Sequence, residues 1–165
     1  MPGSCIGPSS RCTTLPPSDA TERCHDVCLP AVQAGALYFV LVFAAGFVLG
    51  TLRVAFVAPA LGAVTAVALE LPLILAIAWL TARTITARLA IALSAVPRLV
   101  MGGSAFALLV TAEYAGPVAL MGMTGAEYLA KMTTAAGLIG LTGQILFALV
   151  PLAQMLCRHR NAQAG

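Results

Sequence analysis

Two ionisable residues, Glu70 and Arg98, stand inside long apolar runs. A charge in hydrocarbon costs about 2.5–3.5 kcal/mol on insertion scales, so each calls for a partner or a task. With Glu70 on a helix near 60–81 and Arg98 on one near 89–112, helix rise sets them at comparable depth. They come to about 18 Å and about 13–14 Å from a shared membrane face. An arginine side chain spans that difference. Gly137, Gly140 and Ala148 share a helix face with Gln144, which falls at a similar height. The expectation is a buried polar cluster of Glu70, Arg98 and Gln144. Pro72 and Pro97 flank it and are expected to free the carbonyls of Ala68 and Leu93. Such a cluster suits a proton- or ion-linked pathway through Glu70 and Arg98, or a salt bridge that only ties helices together. The spacing leaves both readings open.

Arg53 and Glu113, near the outer ends of their helices, form a second expected pair. Wet pairs contribute about 0–1 kcal/mol, which suits a structural role. Glu113, Glu127 and Tyr128 in the connection 113–133 offer a thinner alternative, a site acting on lipids. Cys24, His25 and Cys28 are weak metal candidates, because the second ligand pair typical of zinc sites is missing. No metal or cofactor is expected. Phosphate-loop, dinucleotide, zinc-protease and hydrolase strings are all absent, so an enzyme is not expected either.

The elements that must carry these groups follow from composition. Of 165 residues, 60% are hydrophobic and 9% charged, whereas soluble domains are roughly a quarter charged. Lipid is the implied solvent. Apolar windows predict four spanning helices near 32–52, 60–81, 89–112 and 134–156. Helices are the one fit, since the alternation of a closed barrel is absent. The fold class expected is all-α: an integral membrane four-helix bundle with a disordered N-terminal tail. Residues 1–30 form that cytoplasmic tail, 31–157 the transmembrane domain and 158–165 a short basic C-terminal tail. An alternative start of translation near Val32 also accounts for the break in composition.

Arg11, Arg23, Arg83, Arg88, Arg158 and Arg160 fall on one side of such a bundle, against Arg53 and Lys131 on the other. That bias places both termini in the cytoplasm, with Trp79 as an interfacial anchor. A net charge of +3 without a basic stripe argues against nucleic acid as a partner. The expected partners are the lipid bilayer and a membrane protein or second copy of the chain. The leading expectation for function is a non-enzymatic structural or accessory subunit. Gly46 and Gly50 make a GxxxG that suits close helix contact within the chain.

Gly50–Pro59 (GTLRVAFVAP), Leu69–Pro72 (LELP) with Trp79, Pro97–Gly102 (PRLVMG), Ala112–Glu113 and Glu127–Ala130 (EYLA) resemble a family of uncharacterised small bacterial inner-membrane proteins with four predicted spans. The resemblance covers roughly residues 35–155. It implies the same architecture and brings no activity. Members often carry a basic residue after the proline matching Pro59, where this chain has Ala60.

Overall fold

The computed structural model describes residues 17–120 and 122–163. Among them the secondary structure is entirely helical. Helix α1 (Pro17–Leu52) continues through a π-helical turn, Arg53–Val57, into the short α2 (Ala58–Leu61). There follow α3 (Ala63–Arg88), α4 (Ala95–Ala115), the amphipathic α5 (Gly125–Met132) and α6 (Ala135–Gln163). A second π-helical turn, Gly116–Leu120, extends α4.

Four segments are long and apolar enough to cross a bilayer: Cys28–Leu61, Ala63–Arg88, Ala95–Ala119 and Ala135–Arg158. Their outward faces are apolar too, with Phe47 69% and Phe56 71% exposed. In water such a surface would aggregate; in lipid it is solvated. The chain is therefore an integral membrane protein of the all-α, four-helix-bundle class.

Some boundaries differ from expectation. Helix α1 begins at Pro17, inside the stretch read as a tail; the rest of that stretch lies outside the described residues. Helix α3 runs on to Arg88, because arginines at a helix end can lift their heads into the headgroup layer. Helix α4 starts at Ala95 rather than near 89. Ser94, extended at φ −124°, stands at its N-cap, and Ala90 turns the chain with a left-handed φ of 48°. Pro97 thus sits in the first turn of α4, where its missing N–H frees no carbonyl, contrary to the expectation for Leu93.

Helix α1 packs against α3 and α4, and α6 packs against the same two. The diagonals of the bundle are thus α1/α6 and α3/α4. Helices α3 and α4 are consecutive in the chain, so the connection 89–94 crosses the end of the bundle. Close approach at the crossings depends on small residues. A side chain at Gly35 would meet the Met101 carbonyl oxygen at 2.6 Å, and one at Gly102 would strike the carbonyl of Ala148. Gly46 and Gly50 both face α3, towards Ile74 and Glu70.

Pro151 lies inside α6 and cannot donate to the carbonyl of Phe147, which would be orphaned in lipid. Tyr38, fully buried on the diagonal helix α1, donates its hydroxyl to that carbonyl at 3.0 Å. Its ring also stacks on Phe147, with centroids 4.5 Å apart and planes 8° from parallel. Tyr38→Phe keeps the stack and loses the bond. It should lower stability by about 1–2 kcal/mol, read from thermal unfolding in detergent. An unchanged midpoint would mean that the carbonyl has no need of the hydroxyl.

Candidate functional site

The side of the bundle away from the chain termini holds a cavity of about 440 Å³, lined from α1, α3, α4, α5 and α6. Its deeper wall is apolar, with Phe39, Phe43, Ile74, Leu109 and Phe147. Its polar members are Arg53, Glu70, Glu113, Lys131, Thr134 and Gln144. Arg53 reaches the site because the π-helical turn carries the chain on from α1 without breaking the helix. Gly62, at φ 80°, then reverses the chain, and α3 begins at Ala63. Glu70 is consequently two turns into α3, about 10–11 Å from its start.

These groups pair differently from the sequence expectation. Arg53 Nε lies 2.5 Å from Glu70 Oε2, with both side chains partly exposed to the cavity. Gln144 donates its Nε2 to Glu113 Oε2. The expected Arg53–Glu113 and Glu70–Arg98–Gln144 groupings are therefore replaced by Arg53–Glu70 and Glu113–Gln144. Four of the five residues still line one cavity. Arg98 stands apart for two physical reasons. It occupies the first turn of α4 at the termini side, whereas Glu70 lies eighteen residues before the termini-side end of α3, about 27 Å from that end along the axis. The two helices are also diagonal. Arg98 instead folds back over the crossing connection, with Nε donating to Ala92 O and Nη2 to Ile91 O, each at 3.4 Å.

Helix α5 borders the cavity. Thr124 caps it: its backbone N–H and hydroxyl donate to Glu127 Oε2 at 2.8 and 2.9 Å, and Glu127 N–H returns a bond to the hydroxyl. Those donors hold the Glu127 carboxyl below its ordinary range. The Tyr128 ring meets Tyr114 edge-on at 5.4 Å, and burial together with the charge of Glu113 pushes its hydroxyl up. Of the three residues read as a lipid-acting site, Glu127 is engaged as a cap, while Tyr128 comes near Glu113. The side chains of Cys24 and His25 lie outside the described residues. Among the described residues no three potential metal ligands converge.

Tyr38 and Gln154 were not singled out from sequence, and Lys131 was read there only for orientation. Pro151 was the readable signal for Tyr38, since it identifies the carbonyl left without a donor. The donor itself required the tertiary arrangement. Gln154 donates to the Trp79 carbonyl at 2.6 Å, which joins α6 to α3.

The fold and site define the class, a multi-pass membrane protein with a cavity edged by paired polar groups. A scan of family models, a search of curated proteins and a search of solved structures each gave no match to this chain. The family expected from the sequence motifs is accordingly not shown by these comparisons.

Proposed function

We propose that the chain is a small proton- or ion-linked carrier of the bacterial inner membrane. Its solute has an apolar body and a polar end. The observation that carries this reading is the cavity, whose volume falls in the range of ordinary ligand sites and whose apolar wall gives way to two carboxylates. Glu70 and Glu113 are the groups whose protonation would couple to solute, by releasing Arg53 and Gln144 from their present contacts. Arg83, Arg88, Arg158 and Arg160 lie on the termini side, against Arg53 and Lys131 on the other. That asymmetry supports cytoplasmic termini and a cavity on the outer half.

The test is counterflow into proteoliposomes, with a panel of hydrophobic amines and amino acids followed by mass spectrometry. Accumulation should depend on pH and disappear in Glu70→Gln. Uptake indifferent to both would defeat the carrier reading. A second reading, a non-enzymatic accessory subunit, is favoured by the fact that both carboxylates already have partners within the chain. In that case Glu70→Gln lowers stability, no solute moves, and purification in mild detergent brings down a membrane partner.

A further inference from the structure

At the opposite end from the carrier cavity, on the termini side, a second cavity of about 270 Å³ opens between α3, α4 and α6. Arg83, Arg98 and Arg158 line it, one from each helix, with Trp79, Thr86 and Gln154 beside them. Among the described residues no carboxylate lines it, and the arginine–carboxylate ion pair among them is that of Arg53 with Glu70. Arg98 is only 2% exposed. A cation so deeply placed requires compensation, and its two bonds to carbonyls, both 3.4 Å, lie beyond ordinary hydrogen-bond lengths. A guanidinium has five N–H donors, so Arg98 retains capacity for an anion. Arg83 and Arg158 are exposed and add two further forks at the mouth. Trp79, 36% exposed, brings an amphipathic ring to the same rim.

We infer that this cavity is a phosphate-binding site. Three guanidiniums arriving from three helices match the oxygens of a phosphate, which planar forks engage bidentately. Basic pockets between transmembrane helices take anionic lipid head groups in this way. The same chemistry would hold a free phosphate, and the two sources separate by experiment. The site is distinct from the carrier cavity, so it stands whether or not that reading does.

The full chain is purified in neutral detergent, and its unfolding midpoint is measured with inorganic phosphate against chloride at matched ionic strength. In parallel it is placed in nanodiscs of phosphatidylcholine with or without phosphatidylglycerol, and retained lipid is counted by native mass spectrometry. Removing one charge-assisted contact should weaken the effective ligand about tenfold. The variants are Arg83→Gln and Arg158→Gln, whose exposed side chains can be lost without unfolding the bundle. Arg88→Gln and Arg160→Gln are the comparison, exposed at the same end but outside the cavity. Selective retention of phosphatidylglycerol, lost in the first two variants, assigns a lipid phosphodiester. A midpoint raised by phosphate alone and lost in the same variants assigns a free phosphate. Absence of both effects, or equal weakening by the comparison variants, overturns the site.

Discussion

Gly102→Ala should destabilise the bundle by about 2–3 kcal/mol, towards the upper end of what overpacking costs. Gly102 is buried where α4 crosses α6, and an added Cβ would strike the carbonyl oxygen of Ala148. The obstacle is backbone inside a helix, not the end of a flexible side chain. Relief therefore requires the two helices to separate, which loosens the packing around Met101, Ala105 and Phe147. Gly103→Ala is the matched comparison, because nothing lies within 4 Å of where its Cβ would stand. That substitution should be neutral or gain up to about 1 kcal/mol from helix propensity. Unfolding in detergent decides the matter. Equal tolerance of both alanines would show that α4 and α6 do not meet this closely.

The second large effect belongs to Arg53 and Glu70. Arg53→Met leaves a carboxylate facing an apolar cavity wall, and Glu70→Leu leaves a guanidinium there. Each should cost about 2–3 kcal/mol, less than for a fully buried pair because both side chains are partly exposed. The double variant should recover most of the loss, since it removes both desolvated charges together. A cycle between Glu70 and Arg98 should instead show coupling within about 0.5 kcal/mol of zero, as expected of distant sites. Strong coupling there, with none between Arg53 and Glu70, would reverse the assignment of partners.

The architecture was legible because lipid requires an almost unbroken apolar surface, and windows such as 132–157 hold no charge at all. The polar residues were legible as unusual for the same reason: Glu70 and Arg98 interrupt those windows. Who meets whom was not. Depth estimated from apolar windows moved with each helix end, and the extension of α3 to Arg88 lowered Glu70 towards the opposite face. Ser94 and Pro97 together mark a helix start, and this signal would have put Arg98 in a first turn. Choosing Arg53 for Glu70 also needs the neighbour relations of the helices. Those are set by close crossings at Gly35 and Gly102, and a single sequence with 15 glycines does not say which of them serve.

The crossing connection between α3 and α4 also bears on biosynthesis. Antiparallel neighbours joined by a short link can enter the membrane as a ready-made hairpin, but these two segments are not neighbours. Each must first lean on α1, and both complete their contacts only when α6 leaves the ribosome. A nascent chain stalled before residue 135 would hold three segments around an unfilled flank, the state most open to quality-control proteases.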